Sequence, residues 1–183
     1  MNLTPPTVSL HIGGELRSSG SGGTHDHLNP VTGEAQASFP LAGTAEVEVA
    51  VARAEAVRET WRRTPPEARR HLLNRLADLI DANAEEFAKM AALDGGTPLT
   101  MGSRGAMLAS MWTRYYAGWC DKLSGEMIST FDTRGELAYT TPEPIGIVGI
   151  IITWNGPLIS LGMKVGPALA AGNCVIVKPA EIT

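Results

Sequence analysis

Residues 142–183, PEPIGIVGIIITWNGPLISLGMKVGPALAAGNCVIVKPAEIT, read as a strand, a helix and a second strand. Ile145, Ile147, Val148, Ile150, Ile151 and Ile152 make a near-continuous apolar, β-branched run, as in a strand covered by helices on both faces. The run is too short to cross a bilayer. Trp154, Asn155, Gly156 and Pro157 then supply strand end, N-cap and first helical turn, because Asn caps orphan amides and Pro tolerates the first helical position. The helix is expected to run to about Ala171, with Gly172 and Asn173 as its stop. Cys174, Val175, Ile176 and Val177 form the second apolar run, before Lys178 and Pro179. A crossover of this kind makes its two strands parallel. Trp154 and Asn155 therefore share the carboxyl edge with Lys178, Pro179, Ala180 and Glu181, where open α/β sheets bind ligands.

Working outward, residues 136–141 read as a short strand between Gly135 and Pro142. Residues 98–123 carry Met107, Leu108, Met111, Trp112, Tyr115, Tyr116 and Trp119 at helical spacings, a stripe expected to be core. Thr64-Pro65-Pro66-Glu67 has the spacing of a capping box, followed by the apolar helical face Leu72, Leu73, Leu76, Leu79 and Ile80. Residues 83–93 suggest another helix. Residues 44–61 place Val47, Ala50, Val51, Ala54, Val57 and Trp61 on one stripe of a surface helix. Before it, residues 9–17 and 28–41 suggest short β elements in an N-terminal arm, separated by a flexible segment at residues 18–23.

The chain has 183 residues, 44% hydrophobic and 19% charged, with a net charge of −4. This is a globular composition without the basic patch that nucleic acid or an anionic membrane surface demands, so a small-molecule ligand is expected, and no nucleic-acid or membrane partner. No secretory signal or membrane span is visible, which makes the cytoplasm the expected location. The Asn2-Leu3-Thr4 sequon is then a chance match. Cys120 and Cys174 form no metal-like cluster and read as reduced core thiols. His25 and His27, flanking Asp26, read as surface residues. The 20 glycines include no GxGxxG, and neither GxxxxGK[ST] nor HExxH occurs.

Several segments converge on one family. His11-Ile12-Gly13-Gly14-Glu15, Asn29-Pro30-Val31-Thr32-Gly33-Glu34, residues 72–80 and Arg114-Tyr115-Tyr116-Ala117-Gly118-Trp119 occur in that order, followed by Trp154-Asn155, Gly166-Pro167-Ala168-Leu169-Ala170 and Lys178-Pro179-Ala180-Glu181. The chain resembles the N-terminal part of NAD(P)-dependent aldehyde dehydrogenases. The resemblance implies an α/β fold with a β arm, several helices and the first βαβ unit of a parallel nucleotide-binding sheet. Residues 1–134 would form the arm and the helical part of the cofactor domain, 135–143 a bridging or oligomerisation strand, and 144–183 the truncated βαβ unit.

The family oxidises an aldehyde to a carboxylic acid through a thiohemiacetal on a catalytic thiol. Asn155 matches the residue whose side-chain amide donates to the oxyanion, a role suited to a donor that does not titrate. Lys178 and Glu181, with Pro179 and Ala180, match the segment around the adenosine ribose. An acidic residue there implies NAD over NADP, since a 2′-phosphate would meet like charge. Ile151, Ile152, Thr153 and Trp154 match the lining of the cofactor channel. Thr153 departs from the usual Pro, and Gly156 replaces a bulky residue commonly found after the Asn. Lys164 matches a lysine given a relay or structural role in some members, but reads more simply as a surface lysine. Asp94, with the backbone near Leu28, resembles a monovalent-cation site, against helix-end capping as the plainer reading.

The general-base Glu and nucleophilic Cys of the family match nothing in this sequence, so the isolated chain is expected to be inactive. Its partners would be an aldehyde once the missing part is supplied, and a second copy or a complementary chain. The alternative is a non-catalytic relative acting as an assembly module through its sheet edge and N-terminal arm. Self-association or association with a partner is expected on either reading, because a separated βαβ half leaves ladder groups and apolar surface uncovered.

Overall fold

The computed structural model describes residues 5–131 and 135–182; the sequon at Asn2, the boundary at residue 134 and Thr183 lie outside them. The arm is two antiparallel hairpins. β1 (Leu10–Ile12) pairs with β2 (Glu15–Arg17) across a turn in which Gly13 and Gly14 take φ of 59° and 85°, a conformation that favours glycine. β3 (Thr24–Leu28) pairs with β4 (Ala35–Pro40). The segment between the hairpins, expected to be flexible, is pinned instead. Gly22 N–H donates to the Leu41 carbonyl, Leu41 N–H donates to that of Gly23, and a Cβ at Gly20 would lie 2.2 Å from the Leu41 oxygen.

Four helices follow: α1 (Thr44–Arg63), α2 (Pro66–Ala82), α3 (Ala84–Gly95) and α4 (Leu99–Ala117). The expected capping box at Thr64 does not form. Its hydroxyl donates back to the Thr60 carbonyl, closing α1, and Pro65 stands at the N-cap of α2 with no side-chain cap. α4 ends earlier than expected, at Ala117, where Gly118 takes the C-cap and Trp119 and Cys120 form a turn.

α4 is the centre of the helical layer, packing against α2, α3 and the crossover helix. Its buried face is Gly102, Ala106, Ala109, Ser110, Thr113 and Ala117, not the aromatic stripe expected there. Tyr115 and Trp119 are exposed, and Trp112 and Tyr116 half-buried. The cause is the closeness of the neighbours. A Cβ at Gly102 would lie 2.7 Å from Ala88 Cα, and one at Gly162 would lie 2.5 Å from the Ala109 carbonyl oxygen. Helices that near leave no room for rings between them.

The short strand expected at residues 136–141 is smaller, β6 (Ala138–Tyr139), and it pairs antiparallel with β5 (Met127–Ile128), which the sequence did not disclose. The βαβ unit forms as expected: β7 (Ile147–Ile151), α5 (Pro157–Ala170) and β8 (Cys174–Lys178). β7 and β8 are parallel, with Ile147 opposite Cys174 and Ile151 opposite Lys178. Gly172, at φ 90°, turns the chain out of α5. Buried Asn173 locks that corner by accepting from Gly146 N–H and donating to the Ala168 carbonyl.

A buried arginine joins the two halves. Arg69, 8% exposed, donates through Nε to the Ala170 carbonyl at the end of α5 and through Nη1 to the Thr64 carbonyl at the end of α1. Both acceptors are C-terminal helix carbonyls, the negative ends of helix dipoles.

Arg69→Met keeps the aliphatic volume but orphans both carbonyls, and is expected to destabilise the chain by about 2–4 kcal/mol. Urea unfolding followed by far-UV circular dichroism measures it; a loss near zero would show that water satisfies both carbonyls. A second prediction concerns pH. The Ser21 hydroxyl, with the Gly43 and Ser21 backbone amides, holds the Glu46 carboxyl down at about 2. A depressed carboxyl contributes stability above its unfolded value near 4.5 and loses it as pH falls towards 2. The Tm deficit of Glu46→Gln should be full at pH 7, shrink below about pH 4.5 and close near pH 2. A deficit independent of pH would place Glu46's contribution elsewhere than in its charge.

Candidate functional site

The carboxyl edge of the β7–β8 pair gathers the residues singled out in the sequence. β7 alternates as a strand must: Ile150 and Ile152 are 4% and 3% exposed, whereas Ile151 between them is 73% exposed on the other face. Ile152 N–H donates to the Lys178 carbonyl, extending the parallel ladder by one rung and setting the two strand ends level. From there the chain leaves the sheet through Thr153 and turns at Trp154 and Asn155, all three exposed.

Asn155 was expected to be the N-cap of the crossover helix. The structure gives that position to Gly156, with no side-chain cap, and Pro157 at the first helical position. Pro157 carries no amide hydrogen, so the first turn presents one donor fewer for a cap to satisfy. The Asn155 side chain makes no hydrogen bond among the described residues. Its amide is therefore presented to solvent at the end of a strand, beside the positive end of α5.

On the neighbouring strand end, the Lys178 ammonium donates to Glu181 Oε1 at 2.8 Å, with both side chains about half exposed. That hydrogen bond, more than any other contact, holds the Glu181 carboxyl below its ordinary range, so it is ionised at neutral pH. Pro179 is exposed and Ala180 half-buried between them. The edge thus offers one neutral amide, one ammonium and one carboxylate. These can donate to an oxyanion and exchange hydrogen bonds with the hydroxyls of a sugar.

Lys164 lies on the third side of this edge. It is more than the plain surface lysine its sequence context suggests: its ammonium donates to the Ile151 carbonyl at 2.9 Å, tying α5 to the last residue of β7. Two strand-end carbonyls are thereby occupied, that of Lys178 by Ile152 and that of Ile151 by Lys164. No pattern in the sequence marks this bond.

Asp94 sits away from the edge, in the last turn of α3, and is not a helix-end cap. Gly96, in the left-handed conformation, closes that helix. Burial pushes the Asp94 carboxyl up, partly opposed by His27. The two border a cavity of about 140 Å³ with Gln36 and Leu93. His27 is 5% exposed, which corrects its reading as a surface residue. Gln36 donates its amide to His27 Nδ1 and to the Leu93 carbonyl, and accepts from Asn29. No group of three metal-ligating side chains occurs among the described residues, so a cation at Asp94 would depend on backbone oxygens.

Comparison with known proteins identifies the family and the fold. The model of the aldehyde dehydrogenase family matches residues 17–183. An aldehyde dehydrogenase of Aspergillus niger is 40% identical over 96% of this chain, which covers 35% of that protein. Among solved structures, an aldehyde dehydrogenase of Bacillus cereus superposes with a TM-score of 0.90 at 37% identity, over 97% of this chain and 36% of the other. PnpE, crystallised with nicotinamide adenine dinucleotide, superposes with a TM-score of 0.89 at 34% identity, over 95% and 36% of the two chains. The chain spans about a third of the length of the relatives it matches and corresponds to their N-terminal part. It belongs to the aldehyde dehydrogenase family.

Proposed function

We propose that this chain supplies the oxyanion donor and the ribose-binding edge of an NAD-dependent aldehyde dehydrogenase. The observation that carries the reading is the free side-chain amide of Asn155 at a strand end, unclaimed by the helix it precedes. When a thiol adds to an aldehyde, the carbonyl oxygen becomes an oxyanion. A neutral amide fixed in direction stabilises that charge without reorganising or titrating. Ile151 and Ile152 hold the donor in place: one carbonyl is anchored by Lys164, and one amide is bound to the neighbouring strand.

Bound NAD would supply the hydride acceptor. Lys178 and Glu181 fit its adenosine ribose, with Glu181 accepting from sugar hydroxyls and Lys178 donating to them. Glu181 is kept ionised by Lys178 and would repel a 2′-phosphate, which favours NAD over NADP. Ile151, Thr153 and Trp154, all exposed beside the edge, would line the channel, with Ile152 buried beneath them. Overall, aldehyde, water and NAD would yield carboxylate, NADH and two protons.

Neither cysteine of the chain suits the nucleophile's role. Cys120 and Cys174 are 7% and 8% exposed, and burial pushes both thiols up, away from the reactive thiolate. The nucleophile and the general base are assigned to the part of the family fold that this chain does not span.

An assembly role is the second reading, favoured by the apolar surface of the β5–β6 hairpin and its connection to β7. Met127, Leu137 and Ile145 are 73%, 70% and 86% exposed. A surface of this kind suits association with a second copy or a complementary chain.

The test is co-expression of the chain with the C-terminal two-thirds of the Aspergillus niger relative, followed by NADH formation from acetaldehyde. Activity is expected, and Asn155→Ala should lower kcat by about 10²–10³-fold. No activity, together with tight homotypic association of the chain, would favour the assembly reading. The thiols give an independent check. In the folded chain both should react with Ellman's reagent at least about tenfold more slowly than in the urea-unfolded chain. One fast thiol in the folded state would reopen the question of the nucleophile.

A further inference from the structure

The chain holds six asparagines, and Asn155 alone is followed by glycine. That pairing has a chemistry of its own. The backbone nitrogen of the residue after an asparagine can attack the side-chain carbonyl carbon and close a five-membered ring, and a Cβ on that residue stands in the way. Gly156 has none. Ring closure also needs the asparagine side chain free to swing. Asn155 is exposed in the turn between β7 and α5 and makes no hydrogen bond among the described residues.

The other described asparagines are protected, each in its own way. Asn29 is followed by Pro30, whose nitrogen carries no hydrogen, and its side chain accepts from the Val31 and Thr32 amides and donates to Gln36. Asn173 accepts from Gly146 N–H and donates to the Ala168 carbonyl. Asn83 donates to the Leu79 carbonyl. Asn74 lies inside α2, where the helical ladder holds the backbone nitrogen of Arg75. The candidate oxyanion donor is thus the one most open to losing its amide.

We propose that Asn155 is a site of spontaneous modification by water, which converts its amide to a carboxylate. A base removes the Gly156 N–H proton, the nitrogen forms a bond to Asn155 Cγ, and the Cγ–Nδ2 bond breaks with release of ammonia. Water then opens the cyclic imide. Breaking the new Cγ–N bond gives aspartate, whereas breaking the original peptide bond gives isoaspartate, whose main chain runs through Cβ and Cγ and is one atom longer. No electrons are transferred; water enters and ammonia leaves.

The modification stands on the sequence and the turn, and its consequence rests on the function proposed for Asn155. A carboxylate is ionised at neutral pH, accepts hydrogen bonds without donating any, and carries the same sign of charge as the oxyanion it would face. Either product therefore switches the candidate donor off. Isoaspartate also lengthens the link from β7 to α5.

The folded chain, held in mildly alkaline buffer at body temperature, is followed by peptide mapping with mass spectrometry, and isoaspartate is read with an isoaspartate methyltransferase. Asn155 should convert at least about tenfold faster than Asn29, Asn83 and Asn173, with isoaspartate among its products. Conversion at Asn155 no faster than at those three overturns the proposal, and means that the fixed backbone on either side keeps nitrogen and carbonyl apart. Gly156→Ala should slow the reaction at Asn155 about tenfold and leave Asn83 unchanged. An unchanged rate in that variant overturns the part given to the glycine; if the variant does not fold, the comparison within the parent chain carries the test. The consequence is measured separately, in the chain co-expressed with the C-terminal two-thirds of the Aspergillus niger relative. There Asn155→Asp should lower kcat at least as far as Asn155→Ala. Parental activity in Asn155→Asp overturns the oxyanion role and leaves the modification standing, whereas an absence of conversion overturns the modification and leaves that role standing.

Discussion

Arg69 lies where two helices end. The carbonyls of Thr64 and Ala170 close α1 and α5, more than a hundred residues apart in the chain, and a single buried guanidinium accepts the task of satisfying both. Burying a cation is costly unless its surroundings are arranged for it, and two helix C-termini are such surroundings. The consequence reaches the site. α5 is fixed at its far end by Arg69 and along its length by α4, and Lys164 ties it to the last residue of β7. The turn holding Asn155 spans the short gap between those two anchored elements, so its freedom is limited by both.

Close packing gives the same rigidity in another form. Gly162 on α5 lies against the Ala109 backbone of α4, and Gly102 on α4 against Ala88 of α3. Contacts between small residues leave little latitude for sliding, because any shift brings backbone against backbone. They also move the large residues outward. The ring cluster of Trp112, Tyr115, Tyr116 and Trp119 has centroids between 5.1 and 6.3 Å apart and stands on the flank of α4, half in solvent.

That displacement shows where sequence pattern carries information and where it fails. The βαβ unit was readable because its signals are local: β-branched runs, Pro157 opening the helix, Gly172 and Asn173 ending it. Parallel pairing followed from the handedness and reach of the crossover alone. The core of α4 was misread because rings and methionines outweigh alanines on any hydrophobicity scale, whereas the buried face was decided by how near α2, α3 and α5 approach, a property of several segments together. Thr64 was misread for a related reason. The spacing Thr-x-x-Glu is compatible with a cap on α2, but the hydroxyl can equally turn back to Thr60, and with prolines at 65 and 66 it does so. The β5 strand, two residues long, is too short to leave a periodicity.

The site residues divide in the same way. Asn155, Lys178 and Glu181 were singled out from their places at the ends of the two strands, and the fold brings both ends to one edge. The bond from Lys164 to Ile151 was not, because a lysine on a helix and a carbonyl in a strand carry no mutual signature. Yet this bond bears directly on the role proposed for Asn155. An oxyanion donor is effective to the degree that its direction is set before the charge appears. Asn155 gains no fixing hydrogen bond of its own, since it does not cap α5; on the proposed role, a cap would have withdrawn its amide from the substrate. What the chain fixes is the backbone on either side of it. Lys164 and the Ile152 rung hold the strand before it, and Pro157 with its fixed φ begins the helix after it. The side chain stays available because neighbouring backbone, not Asn155 itself, bears the constraint.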